Sequence, residues 1–297
     1  MANRQVWRAG YLAHLAYERR LAALTVQHYD RDLSALFDIT QSQSLENLAV
    51  HDIRRLVSTL HGRGLSGRTL ARMLSAWRGF FSYLVTHHGL KSNPCTGLRP
   101  PRSPKRLPNS LSPDAAAKLM EIPTHDVLSL RDKAIMELAY SSGLRLAEIT
   151  GMNVRAISVA DGQVSVTGKG GKTRIVPVGE KALAAIAAWL PARGSIAKAQ
   201  EQALFVGRNG MRLGARAIQE RLRIWSIKQE MPANVHPHML RHSFATHVLQ
   251  SSSDLRAVQE MLGHASISST QVYTHLDFQH LAKIYDASHP RAKRNTK

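Results

Sequence analysis

The chain has little of what marks secreted, membrane or redox proteins. Cys95 is the only cysteine among its 297 residues, which excludes an intrachain disulfide and suits a reducing compartment. Its longest apolar run, Ala182–Leu190, is far shorter than the ~20 residues that cross a bilayer. No apolar segment of the signal-peptide type follows Met1. These absences predict a cytoplasmic protein without membrane insertion.

Acidic residues are also scarce. Asp and Glu number 21 against 40 Lys and Arg, so the net charge is +19 and the pI is about 10.7. Residues 1–100 carry 13 basic and 6 acidic side chains, and residues 101–297 carry 27 and 15. A partner with a long phosphate backbone, such as double-stranded DNA, suits two basic parts. The alternative is a soluble protein that is merely basic.

Three common kinds of reactive site are missing. The stretch Gly170–Thr173 resembles the end of a phosphate-binding loop, but Val166 stands where that motif needs its first glycine. His238 and His242 have the spacing of a zinc-binding helix, but Met239 replaces the required glutamate. No Gly-x-Ser-x-Gly sequence exists for a serine hydrolase. We therefore expect neither a cofactor nor a metal.

The first part of the chain, residues 1–93, has the periodicity of helices. Val26, Tyr29 and Leu33 recur at three- and four-residue steps after Thr25, which we interpret as an N-cap. A similar spacing occurs in a stretch that begins near Trp7, and another such stretch runs from Leu70 to Leu84. The pattern predicts an all-α bundle of about four helices.

Residues 94–111 separate this bundle from the rest. Six of the chain's 12 prolines lie in 94–113, together with four basic residues and no acidic one. The segment is either a plain spacer or a basic strap that lies along DNA, and we favour the strap.

Residues 112–297 indicate a second, mostly helical domain with one small antiparallel sheet. Ser112-Pro113 is a typical helix start. Two valine-rich stretches flank the glycine-rich residues 168–172 and predict a β-hairpin. Further helices are expected at 131–140, 180–190, 215–227, 238–249, 255–262 and 277–287. The predicted fold class is thus mainly α.

Several reactive side chains are scattered over the second domain. Arg145 stands where a turn meets a short helix, His238 and Arg241 share one helix face, and His264 precedes Tyr273 by nine residues. Each alone has an ordinary structural interpretation; Arg145, for example, has Glu148 three positions away as an ion-pair partner.

Together these residue types suit attack on a phosphodiester. Two arginines hold the nonbridging oxygens of the transition state, and a tyrosine phenol is a nucleophile that keeps the bond energy in a covalent intermediate. A histidine takes the phenolic proton and a lysine protonates the departing 5′-oxygen. The arginines supply the charge that a metal supplies elsewhere.

The order and surroundings of six residues resemble the tyrosine recombinase (lambda-integrase-like) family. They are Arg145, Lys169, His238, Arg241, His264 and Tyr273. The resemblance covers nearly the whole chain, as an N-terminal core-binding (SAM-like) bundle, a linker and a catalytic domain. It implies that Tyr273 is the nucleophile and that Arg145 and Arg241 clamp the phosphate.

The resemblance assigns the remaining roles as well. His238 is similar to the general base, His264 to a donor to the scissile phosphate, and Lys169 to the general acid. Lys172 matches less well and is kept as a DNA-backbone contact.

The C-terminal segments Tyr273–Leu281 and His289–Arg294 resemble those of the bacterial Xer recombinases. This implies strand exchange through a Holliday junction with a XerD-like partner, two copies of each, to resolve chromosome dimers at cell division. A phage or transposon-type integrase and a non-catalytic architectural DNA-binding protein are the alternatives. An amphipathic segment with Phe278, Leu281, Ala282 and Tyr285 is expected to reach into a neighbouring recombinase; packing on its own domain is the alternative.

Overall fold

The chain forms two compact units, Met1–Arg106 and Leu107–Lys297, in a computed structural model. The structure describes residues 2–41, 43–102, 110–168, 171, 173–231, 235–262 and 283–291. Among these residues, no helix is long and apolar enough to cross a membrane. The domain boundaries expected from the sequence stay a prediction.

The regular elements of the first unit are all helices in the part of the chain that is described, as predicted. Its α-helices are α1 (Ala2–Ala13), α2 (Ala23–Ile39), α3 (Val50–Gly62) and α4 (Gly67–His88), with a π-helical turn at His14–Glu18 and a 3₁₀ turn at Leu45–Asn47.

Helix α4 is the centre of this bundle. Trp77, Phe80 and Phe81 are fully buried on it, and the Trp77 indole donates to the Asp32 carbonyl of α2 at 2.8 Å. A Cβ at Gly79 would lie 2.3 Å from the Tyr11 hydroxyl, so a larger residue there would have to displace the buried Tyr11 ring of α1.

The prediction that Thr25 caps α2 is wrong. The helix begins at Ala23 with Ala22 in the cap position, and no side chain caps it. Arg20, with a φ of +47°, turns the chain just before the helix. The start is therefore set by this backbone turn instead of by a capping side chain.

The beginning of the proline-rich segment packs into the first unit. Cys95 and Leu98 are buried in its core, and the Arg78 guanidinium donates to both of their carbonyls. Leu111 is buried in the second unit, and its amide donates to Ser243 Oγ at 2.8 Å. The basic residues Lys105 and Arg106 lie outside the described residues.

Residues 283–288 of the second unit are helical, and seven further α-helices and three short strands lie wholly within its described residues. They are α5 (Pro113–Met120), α6 (Val127–Ser141), α7 (Leu146–Gly151), β1 (Ile157–Ser158), β2 (Gln163–Thr167), β3 (Thr173–Pro177), α8 (Glu180–Gly194), α9 (Ala215–Lys228), α10 (Pro237–Ser252) and α11 (Leu255–Leu262). The predicted Ser112 cap is confirmed, since its hydroxyl accepts from the Ala115 amide.

The predicted hairpin is also confirmed. Strands β2 and β3 pair antiparallel with Val164 opposite Val176 and Val166 opposite Arg174. Strand β1, which the sequence did not predict, joins the other edge of β2. Two residues are too few to show an alternating pattern.

Tyr285 packs within its own domain. It is 1% exposed, and its hydroxyl lies 2.6 Å from Ser141 Oγ at the end of α6. Arg291 pairs with the buried Glu137 carboxylate of the same helix. Residues 283–291 therefore pack on their own domain. The other residues of the predicted stripe, Phe278, Leu281 and Ala282, lie outside the described residues.

His289 gives this C-terminal packing a pH dependence. Its buried ring stacks on Tyr285, and burial, together with the charges of His247 and Arg291, lowers its pKa to about 3. Below about pH 6.5 the unfolded chain takes up a proton that the folded chain refuses, so lowering the pH favours unfolding.

We expect the free energy of unfolding to fall between pH 6.5 and 5, with His289 contributing up to about 1.4 kcal/mol per pH unit. His289→Gln should flatten this dependence in denaturant titrations, although the similarly buried His247 keeps part of it. His125→Gln, at an exposed loop position, is the control. An unchanged slope in His289→Gln would contradict the assignment.

Candidate active site

Arg145 lies at the start of α7, as its position in the sequence predicts. The preceding turn needs Gly143, whose φ is +55° and whose added Cβ would lie 2.4 Å from the Phe244 ring of α10. Ser142 Oγ donates to the Pro177 carbonyl at the end of β3. The turn is thus held between α10 and the sheet, and it presents an Arg145 side chain that is 39% exposed.

Glu148 anchors Arg145 from behind. Its carboxylate accepts from the Arg145 amide at 2.8 Å and from Arg145 Nη1 at 3.0 Å. The ion pair suggested by the three-residue spacing is therefore present. The same carboxylate accepts two bonds from Arg174 of β3, at 2.8 and 3.1 Å. Burial raises the pKa of Glu148, but the hydrogen bonds from Arg174 and Arg145 outweigh it, so the net shift is downward.

Arg241 projects from α10 into the same region. Its Nη1 donates to the Gly143 carbonyl at 2.6 Å and its Nη2 to the Leu262 carbonyl, the last of α11, at 2.7 Å. Burial and the nearby charge of Arg145 lower the pKa of Arg241 to about 10. The group stays cationic at neutral pH, and its bond to the Gly143 carbonyl ties it to the turn that carries Arg145.

His238 lies one helical turn before Arg241, and its side chain is exposed. His236 caps α10 by accepting from the Met239 amide, and its ring lies 6.5 Å from that of His238. The structure thus brings Arg145, Arg241 and His238 to one region. Lys169, His264 and Tyr273 lie outside the described residues.

The arrangement has an excess of positive charge. The Glu148 carboxylate contacts two guanidiniums, those of Arg145 and Arg174, and a third, that of Arg241, is bonded to the neighbouring Gly143 carbonyl. A partly exposed cluster of this kind attracts a phosphate and stabilises additional negative charge on it. Over the described parts of the chain, no group of three or more His, Cys, Asp or Glu side chains is placed to hold a metal.

Sequence reasoning missed Arg174. The sequence did contain a sign of it. Arg174 and the inward-facing Val176 are two residues apart and so lie on the same face of the strand, whereas the apolar Ile175 faces outward. A charged residue on the buried face of a strand indicates a buried partner.

Two family models match the chain. The model described as the phage integrase family matches residues 109–280, and that of the phage integrase N-terminal SAM-like domain matches residues 9–88. The confirmed helical bundle and the mixed second unit correspond to these two matches.

Curated relatives are similar over nearly the full length. The "Tyrosine recombinase XerC" of Alcanivorax borkumensis is 50% identical over 287 residues, covering 96% of this chain and 94% of the relative. The protein of the same name from Pseudomonas fluorescens is 50% identical over 288 residues, covering 96% of each.

Solved structures share the fold. A XerH site-specific recombinase bound to its difH substrate superposes with a TM-score of 0.68 and 25% identity, covering 89% of this chain and 80% of that one. A lambda integrase dimer bound to a core site has a TM-score of 0.70 at 16% identity, covering 91% and 99%.

Three observations point to the same family: the fold, the pair of arginines with the partly exposed Arg145, and these sequence and structure matches. This chain belongs to the phage integrase family and is a tyrosine recombinase, an enzyme of site-specific DNA strand exchange.

Proposed function

We propose that this recombinase acts at a chromosomal site as the counterpart of a XerD-like recombinase, two copies of each, and resolves chromosome dimers at cell division. The observation that carries the proposal is 50% identity, over 96% of the chain, to proteins named XerC. The reaction passes through a 3′-phosphotyrosyl intermediate and a Holliday junction in the cytoplasm, without membrane insertion.

Tyr273 is the nucleophile in this proposal. The second unit has three tyrosines, and two of them are engaged in its core. Tyr140 lies 2.8 Å from His247 Nδ1, and Tyr285 lies 2.6 Å from Ser141 Oγ. Burial raises the pKa of both phenols, which makes them poor nucleophiles and supports Tyr273 by elimination.

Arg145 and Arg241 clamp the scissile phosphate. Their side chains come from different helices but are joined through the Gly143–Arg145 turn, so their spacing is fixed before DNA binds. Two fixed cations stabilise a pentacoordinate transition state without a metal or another cofactor.

Proton transfer is assigned to the remaining residues. His238, exposed beside Arg241, accepts the phenolic proton. Lys169 donates a proton to the departing 5′-oxygen, and His264 donates a hydrogen bond to the phosphate. Lys172 contacts the DNA backbone.

A phage or transposon-type integrase is the alternative with the same chemistry. The Tn1549 transposon integrase has the same fold with a TM-score of 0.70, but only 15% of the aligned residues are identical. The non-catalytic alternative is not supported, because the chain is a tyrosine recombinase.

The experiment combines this protein with the XerD-like recombinase encoded in the same genome and a duplex that carries their chromosomal site. We expect cooperative binding of the two proteins in gel-shift titrations, and Holliday junctions only when both are present. A matched duplex with two copies of one half-site is the control. Efficient recombination by this protein alone, without the second recombinase, would favour the integrase alternative.

A further inference from the structure

Arg174 is a buried cation that faces the interior from a strand. It is 6% exposed, and its inward position on β3 lies opposite Val166. Nη1 and Nη2 donate to the two oxygens of Glu148, and Nε donates to the Met261 carbonyl at 3.1 Å. All three guanidinium nitrogens thus donate hydrogen bonds to protein atoms, so Arg174 fixes the positions of the residues that accept them.

The neighbours of Arg174 belong to both halves of the candidate site. Glu148 holds the backbone and the guanidinium of Arg145. Met261 is the next-to-last residue of α11, and Arg241 holds the carbonyl of Leu262, the last one. Two arginines on different elements therefore hold the consecutive final carbonyls of the helix that precedes His264 in the sequence.

The charge of Arg174 also has an effect on Arg145. Glu148 forms a bidentate pair with Arg174 inside the protein, so its negative charge is already compensated when it contacts Arg145. Without Arg174, the Glu148 carboxylate would pair with Arg145 alone. Its negative charge would then neutralise more of the positive charge with which Arg145 attracts a phosphate.

We propose that Arg174 is a positioning residue for strand cleavage: it fixes Arg145 through Glu148 and fixes the end of α11 through Met261. The proposal rests on the proposed function, in which Arg145, Arg241 and His264 act on the scissile phosphate. Arg174 itself does not touch DNA.

Arg174→Lys keeps the charge but cannot hold the two Glu148 oxygens and the Met261 carbonyl at once. We expect half-site binding to stay near wild type, since phosphate contacts elsewhere supply it. The single-turnover cleavage rate at saturating DNA should fall about 10- to 100-fold, as for a small misplacement of reacting groups.

Arg131→Lys is the matched control. Arg131 is also buried, donates twice to one carboxylate, that of Asp132, and donates to the Val206 carbonyl. It should lose comparable thermal stability while keeping the cleavage rate. If both variants lose activity in proportion to stability, Arg174 is merely structural and the proposal is overturned.

A second pair of variants tests the charge argument and remains informative if Arg174→Lys folds poorly. Arg174→Gln leaves Glu148 uncompensated, and adding Glu148→Gln removes that charge. We expect the double variant to cleave faster than Arg174→Gln, which a purely structural role does not predict. Equal or slower cleavage by the double variant would overturn the charge argument. Wild-type protein is measured alongside the variants. If the wild type forms no covalent adduct, the proposed function is wrong. If Arg174→Lys cleaves at the normal rate, only the positioning role of Arg174 is wrong.

Discussion

Replacing Arg241 with lysine is expected to slow covalent cleavage of DNA by about 10²- to 10³-fold, the loss typical for removal of one transition-state donor. Arg241 holds the Gly143 and Leu262 carbonyls while it faces the phosphate site beside Arg145. One ammonium group cannot hold both carbonyls and also reach a phosphate, although it keeps the charge. The measurement is single-turnover cleavage of a nicked duplex, from which the cut fragment diffuses away so that the adduct accumulates.

Arg212→Lys is the control for this variant. Arg212 also holds backbone carbonyls, those of Thr150 and Met152, but on the exposed side of the same unit. It should cleave at the wild-type rate. Wild-type cleavage by Arg241→Lys would remove Arg241 from the phosphate clamp.

The elements that position the site were largely predictable from local sequence. Helix α11 has the predicted bounds Leu255–Leu262, and the hairpin lies where the two valine-rich stretches predict it. Arg145 meets Glu148 because the two are three residues apart at a helix start, a contact that local geometry dictates.

The links between elements were not predictable in the same way. Arg174 meets Glu148 across 26 positions, and Tyr285 meets Ser141 across 144. Both contacts depend on how the sheet and the helices pack, which no short-range pattern encodes. Tyr285, the one residue of the predicted amphipathic stripe that the structure describes, is buried, but the pattern did not say which surface buries it.

Tyr273→Phe is expected to abolish the covalent protein–DNA adduct entirely. The change removes one oxygen and almost no volume, so folding and half-site binding should survive. Tyr140→Phe is the matched control, because it removes the hydroxyl of a tyrosine in the same unit that is buried against His247. It should lose some stability and still form the adduct.

The central claim is tested most directly by locating the adduct. Wild-type protein is incubated with the nicked duplex in excess EDTA and is then digested with trypsin. Mass spectrometry identifies the peptide that carries the nucleotide 3′-phosphate. The account predicts a metal-independent adduct on Tyr273 and none in Tyr273→Phe. An adduct on another residue, an adduct in the Phe variant, or cleavage that requires a divalent metal would contradict it.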